Sequence, residues 1–244
     1  MIFNERIAVI GLGYVGLPLA TEFAKKYKVV GYDVDISRVK ELKKGLDRTK
    51  EITQKKLLEN DNLIFTYNSN DMKKSDFFIL TVPTPITKNK KPDLSMIKKA
   101  ALTVSKVMKN GATIVLESTV YPGVTEDYLV PLLEKHSKFK HKENFFVAIE
   151  TNGTINTNLK FDWVTVSPKE DAEWNLKKGD ELKVVYPQHK FDLKKIKNLD
   201  FKYFFLQPKD EEKNRTNILK TINYCKSHKP WFPSFQIHKP LGIS

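Results

Sequence analysis

The sequence predicts an α/β protein built on a parallel sheet, and three observations predict it. Short apolar runs alternate with amphipathic stretches of helical period. The apolar runs are nearly continuous, as strands covered on both faces are. Glycine and proline punctuate the ends of the runs. With 244 residues and 40% apolar content, the chain can bury a core and hold two small domains or one large one. Strands are read at Arg6–Ile10, Val29–Tyr32, Leu63–Thr66, Phe77–Val82, Thr113–Glu117 and Phe145–Ile149. Helices are read at Leu17–Lys26, Ser37–Lys44, Thr53–Glu59, Ser95–Lys109 and Thr125–Lys135. Ser37 and Ser95 suit helix N-caps, and Gly45 and Gly111 suit helix C-termini.

The alternation continues more weakly. Strands are expected at Trp163–Val166, Leu182–Tyr186, Tyr203–Gln207 and Ser234–His238. A helix is expected from Glu211 to Lys226, apolar at Ile218, Leu219, Ile222 and Cys225, with a shorter one over Asp192–Asn198. Pro168, Pro187, Pro208 and Pro240 fall where the chain must leave the sheet. No repeat or low-complexity linker marks a junction.

Mean hydropathy of −0.43 and the lack of a long apolar run argue against a membrane span, and residues 1–20 do not read as a signal peptide. The single cysteine, Cys225, excludes an internal disulfide and a multi-cysteine metal site within one chain. No metal site is expected, and a reduced, cytoplasmic setting is. The net charge of +13 does not point to specific nucleic-acid binding. Residues 1–146 carry 25 basic and 17 acidic side chains and residues 147–244 carry 17 and 12, so the excess is spread evenly along the chain. It is nearly all lysine, with arginine only at positions 6, 38, 48 and 215, whereas base readers favour arginine.

The most specific chemistry lies at the start. An apolar strand breaks into Gly11, Gly13 and Gly16 and leads into an apolar helix, with Asp33 at the end of the next strand. This spacing predicts a dinucleotide site. Gly11 permits the tight turn, Gly13 lets backbone approach a pyrophosphate, and Gly16 allows close helix packing. The helix N-terminus offers N–H groups to the phosphates. Asp33 can accept hydrogen bonds from ribose hydroxyls and would repel a 2′-phosphate, which favours NAD over NADP. Thr81-Val-Pro-Thr-Pro85 and Glu117-Ser-Thr-Val-Tyr-Pro-Gly123 follow later strands, where such a sheet places ligand loops.

Gly11-Leu-Gly-Tyr-Val-Gly-Leu-Pro18, Gly31-Tyr-Asp-Val-Asp35 with Arg38, Thr81–Pro85 with Pro92-Asp93, and Glu117–Gly123 together resemble the UDP-sugar 6-dehydrogenase family. The branch forming UDP-N-acetylhexosaminuronic acids, a feature of polysaccharide biosynthesis, is the nearest. The resemblance spans residues 1–146 and implies a Rossmann-like domain. It implies NAD contacts at Gly11, Gly13, Tyr14, Val15, Gly16, Asp33, Arg38, Thr81, Pro83, Thr84 and Thr119, with Thr119 also serving catalysis. The family oxidises a sugar alcohol twice through a thiohemiacetal on a cysteine. That cysteine and its supporting lysine and asparagine have no counterpart here. After Phe146 the text is Val147-Ala-Ile-Glu-Thr-Asn-Gly153 instead of a Ser-Pro-Glu motif, and Cys225 falls on an apolar helix stripe as a core cysteine would.

From Val147 the chain instead resembles the C-terminal part of the 7-carboxy-7-deazaguanine synthases, radical S-adenosylmethionine enzymes of queuosine biosynthesis. The matching text is Glu150–Thr154, Trp163–Lys169, Gly179–Val185, Phe205–Pro208 and Gln236–Lys239. The resemblance implies S-adenosylmethionine contacts at Ser167, Pro168, Lys169, Gln207 and Pro208, departing at Lys209 and at the terminus Gly242-Ile-Ser244. The [4Fe–4S] cluster of that family needs three cysteines, which one cysteine cannot supply.

Two domains are therefore expected: a dinucleotide-binding domain over 1–146 and a partial barrel-like α/β segment over 147–244. The strand at Phe145–Ile149 suits the last position of the first sheet and the first of the second. The second segment is expected to be less stable, leaving an uncovered sheet surface open to self-association. Three functions stay open: an incomplete nucleotide-sugar 6-dehydrogenase acting on a UDP-sugar, a truncated radical S-adenosylmethionine enzyme, and a non-catalytic dinucleotide-binding module.

Overall fold

The computed structural model describes residues 4–86, 92–118, 120–121, 123–155, 161–211 and 214–235. The chain divides into two compact units, Met1–Val147 and Ala148–Ser244.

In the first unit the strands are β1 (Arg6–Ile10), β2 (Lys28–Tyr32), β3 (Leu63–Thr66), β4 (Phe77–Leu80) and β5 (Ala112–Leu116). They lie in the order β5-β4-β1-β2-β3, and the pairings of β1 with β2, β1 with β4, β2 with β3 and β4 with β5 are all parallel. The helices are α1 (Gly16–Phe23), α2 (Ile36–Lys43), α3 (Gln54–Leu58), α4 (Ser95–Ser105) and α5 (Val130–His136). The apolar strand runs are explained by burial on both faces. Ile7, Val9, Val29 and Ile79 belong to one core with Leu17 and Ala20 of α1 and Val39 and Leu42 of α2. Ala8, Phe78, Leu80 and Ile114 are buried as well, as are Ile97, Ala101 and Val104 of α4. The chain order reverses between β1 and β4, and the crevice at the carboxyl ends of those two strands is where such sheets bind ligands.

Several local expectations are corrected. The N-cap of α2 is Asp35, whose carboxylate accepts from the Ser37 and Arg38 amides, so Ser37 lies inside the helix. Ser95 is the first residue of α4 and not its cap; its amide donates to Asp93 Oδ1 at 2.8 Å. Gly45 follows α2 at φ +75° as expected, but Gly111 (φ +81°) introduces β5, its amide donating to the Asn144 carbonyl. The helix expected over Thr125–Lys135 is a π-type turn, Val124–Leu129, followed by α5.

The second unit is also a parallel sheet. Strand β6 (Phe145–Thr151) crosses the division, and its Ala148–Thr151 part pairs with β7 (Trp163–Val166). Then follow β8 (Lys178–Tyr186), β9 (Asp200–Pro208) and β10 (Trp231–Pro233), in the order β6-β7-β8-β9-β10. Helices α6 (Leu193–Ile196) and α7 (Asn214–Ser227) complete it. This unit has its own core of Val164, Val166, Trp174, Leu182, Val184, Leu206 and Trp231, with Cys225 packed at its margin. The strand expected at Ser234–His238 is displaced: β10 ends at Pro233, Ser234 and Phe235 are not in a strand, and residues 236–238 lie outside the described residues. No helix among the described residues is long and apolar enough to cross a membrane.

Candidate functional site: the glycine turn of the first unit

The turn between β1 and α1 is locked from three sides. Gly11 sits at φ +96°, and its amide donates to the Tyr32 carbonyl at 2.9 Å. A methyl group on Gly16 would lie 1.8 Å from the Gly11 carbonyl oxygen and 2.4 Å from Thr81 Oγ1. The helix can therefore approach the turn only because Gly16 has no side chain. Among the described residues, a methyl group on Gly13 would meet nothing within 4 Å. Gly13 thus faces the open space that a bound group approaching the backbone would use, while Gly16 serves internal packing. Tyr14 and Val15, 70% and 55% exposed, flank that opening.

Asp33 follows β2, and both its carboxylate oxygens are placed by backbone donors: the Leu12 amide on Oδ2 at 2.8 Å and the Asp35 amide on Oδ1 at 2.9 Å. Each oxygen has a further lone pair, and the side chain is half-exposed, so it can still accept from hydroxyl groups. The residues present therefore fit a dinucleotide: an open glycine, a helix N-terminus behind it, and an oriented carboxylate at the end of the neighbouring strand.

Thr81 and Arg38 have parts that spacing did not reveal. Thr81 Oγ1 donates toward the Ile10 and Gly11 carbonyls at 3.0 and 2.7 Å, so its hydroxyl holds the turn. Arg38 is buried, with its Nε donating to the Leu12 carbonyl at 2.9 Å and its guanidinium paired with Asp47 at 2.8 Å. Pro83 is exposed, and Ser118 Oγ donates to the Val82 carbonyl at 2.5 Å, tying the loops after β4 and β5 together. Thr84 is half-buried beside them, and Thr119 lies outside the described residues.

Asp47 and Arg48 were missed. Their signal was the Asp47-Arg-Thr49 turn pattern, in which a carboxylate two residues before a hydroxyl folds the backbone onto itself. Asp47 accepts from Thr49 Oγ1 (2.7 Å) and from the amides of Thr49, Glu51 and Ile52 (3.0, 2.9 and 3.0 Å). Burial pushes its carboxyl up, but the bonds from the Thr49 hydroxyl, the Ile52 amide and Arg38 outweigh this and hold it at about 2. Arg48 points outward and clamps Glu41 at 2.6 Å and Asp35 at 3.1 Å. Chiefly through the Ser37 hydroxyl and the Arg38 amide, the Asp35 carboxyl is also held at about 2.

In the second unit, the two segments proposed for S-adenosylmethionine stand at the carboxyl ends of β7 and β9, with β8 between them. The buried Ser167 donates its amide to the Thr151 carbonyl at 2.7 Å; Pro168 is buried and Lys169 exposed. Gln207 and Pro208 pair in register with Val185 and Tyr186. Cys225 is half-buried on α7, and burial pushes its thiol up, away from the thiolate a nucleophile needs. Among the described residues, no three histidine, cysteine or carboxylate side chains gather as a metal site.

A glycine turn between a first parallel strand and its helix, faced by an acid on the next strand, defines a dinucleotide-binding α/β domain. The family model for the NAD binding domain of the UDP-glucose/GDP-mannose dehydrogenase family matches residues 5–158, and the chain belongs to that family. It is 50% identical over 143 residues to the UDP-N-acetyl-D-glucosamine 6-dehydrogenase of Pseudomonas aeruginosa, covering 59% of this chain and 34% of that protein. The solved UDP-D-ManNAc dehydrogenase of Pyrococcus horikoshii superposes with a TM-score of 0.55 at 40% identity, over 58% of this chain and 35% of that one. A separate similarity, 44% identity over 103 residues, links the chain to the 7-carboxy-7-deazaguanine synthase of Caulobacter vibrioides, over 42% of this chain and 49% of that protein. The chain thus spans about a third of the dehydrogenase relatives and half of the synthase relatives.

Proposed function

We propose that this chain binds NAD at the Gly11–Gly16 turn and is the cofactor-binding part of a nucleotide-sugar 6-dehydrogenase, without turnover of its own. The observation that carries the reading is the pairing of an open Gly13 with an Asp33 carboxylate oriented by the Leu12 and Asp35 amides. In this reading the pyrophosphate lies against Gly13 and the start of α1, and Asp33 accepts the adenosine ribose hydroxyls. NAD when bound supplies hydride acceptance; the chain's residues orient it. Tyr14, Val15, Thr81, Pro83 and Thr84 border the dinucleotide, and Arg38 acts from beneath; for Thr119, a contact is what the family resemblance implies. The thiol inventory supports a lack of turnover: Cys225 is packed beside a core, burial pushes its thiol pKa up, and it has no counterpart of the family's cysteine context. The substrate class of the intact reaction is a UDP-sugar whose 6-hydroxyl becomes a carboxylate.

Calorimetric titration with NAD, NADP and S-adenosylmethionine in parallel tests the reading. NAD binding that falls at least tenfold in Asp33→Ala, with NADP weaker than NAD, is expected. No NAD binding overturns it, as does steady NADH formation with a UDP-N-acetylhexosamine at an ordinary enzymatic rate. The similarity to the deazaguanine synthases favours one second reading, S-adenosylmethionine bound at Ser167–Lys169 and Gln207–Pro208. Radical chemistry there would need cluster cysteines that this chain does not carry, so binding without reaction is the form that titration would detect.

A further inference from the structure

Leu12, between the first two glycines, is held by both of its backbone polar groups. Its N–H donates to Asp33 and its carbonyl accepts from Arg38 Nε. Arg38 and Asp47 form an ion pair whose side chains are 5% and 1% exposed, and Asp47 is in turn fixed by the Thr49 hydroxyl and three amides of its own loop. For stability alone this is a poor arrangement. A buried ion pair gains little over apolar packing, and Arg38 Nη1 is buried with no partner among the described residues. What the pair does supply is a rigid donor at one carbonyl of the ligand turn.

We propose that Asp47, outside the glycine motif and 14 residues beyond Asp33, is a positioning residue of the dinucleotide site. It holds Arg38 against the Leu12 carbonyl, which sets the Leu12 N–H on Asp33 and so fixes both the turn and the carboxylate before the dinucleotide arrives. Preorganisation of this kind lowers the ordering cost of binding. The inference rests on the reading of the Gly11–Gly16 turn as an NAD site.

The test uses the full chain with Asp47→Asn and Arg38→Lys. The first removes the charge that holds the guanidinium; the second keeps a cation for Asp47 but cannot also reach Leu12 in the same fork geometry. Affinities for NAD and for ADP-ribose are each expected to fall about tenfold, measured well below the melting temperature. In the ligand-free protein, hydrogen exchange of the Leu12 amide is expected to quicken. A purely structural pair would lower the melting temperature and leave both affinities within twofold of the parent, which overturns the proposal. If both variants fail to fold, Thr49→Ala, which removes one hydroxyl from Asp47, is expected to weaken NAD about threefold, and an unchanged affinity overturns the proposal. A parent chain that binds neither NAD nor ADP-ribose overturns the function and this inference together; a parent that binds with unaffected variants overturns this inference alone.

Discussion

Among single residues, the three glycines of one motif do different work. Gly16→Ala forces a methyl group to 1.8 Å from a backbone oxygen, and the turn must open. It is expected to destabilise the first unit by about 3 kcal/mol or more, read as a lowered urea midpoint. Gly13→Ala meets nothing among the described residues and is expected to melt like the parent while losing NAD affinity in calorimetry. Asp47 gives a pH dependence. Its folded carboxyl titrates at about 2 against 3.8 for the unperturbed group, so the unfolded chain takes up the proton more readily. Its stabilisation is complete above about pH 4 and is lost as pH falls through 2. The shift corresponds to about 2 kcal/mol. Urea midpoints from pH 7 to pH 2 are expected to drop less steeply in Asp47→Asn than in the parent. The three glycines and Asp33 were visible in the sequence because spacing alone encodes a turn. The hydrogen bonds that hold the turn were not, because Thr81 and Arg38 reach the Gly11 and Leu12 carbonyls across gaps of 70 and 26 residues.

Among elements, helix α2 connects the site to its support. Asp35 caps its start, Gly45 ends it in the left-handed region, and the Asp47–Ile52 loop folds back to hold Arg38 on it. A methyl group on Gly45 would meet Gln54 Cγ at 2.8 Å and Leu58 Cγ at 3.0 Å in addition to the backbone strain. Gly45→Ala is expected to cost about 1 kcal/mol or more in chemical denaturation. Strands were legible where an apolar run is bounded by polar or turn residues: Arg6–Ile10, Leu63–Thr66 and Trp163–Val166 match the structure residue for residue, although Ile64 of the second is exposed. The polar start of β8, Lys178-Gly-Asp-Glu181, hid a strand whose register is set by its neighbours. Asp180 illustrates why: its carboxylate accepts the Val164 amide at 2.8 Å and pairs with Lys202 at 2.6 Å, contacts that exist only between assembled strands. Likewise the choice of Asp35 over Ser37 as the α2 cap depended on where β2 delivers the chain.

At the scale of the molecule, each unit buries its own core, and the three tryptophans, Trp163, Trp174 and Trp231, all belong to the second. NAD at a hundred times its dissociation constant stabilises the unit that binds it by about 2.7 kcal/mol. A far-UV circular dichroism melt is expected to move upward with NAD, and a melt that NAD leaves unmoved would count against a site in the first unit.

The sequence by itself determined a parallel α/β chain, the glycine turn and the family of its first part. Those are local properties: the period of apolar residues, and the small set of residues that a left-handed turn or a close helix contact accepts. Only the tertiary structure decided which side chains hold that turn rigid. A buried hydrogen bond joins groups brought together by strand order, and no spacing along the chain records the distance between Asp47 and the peptide it steadies.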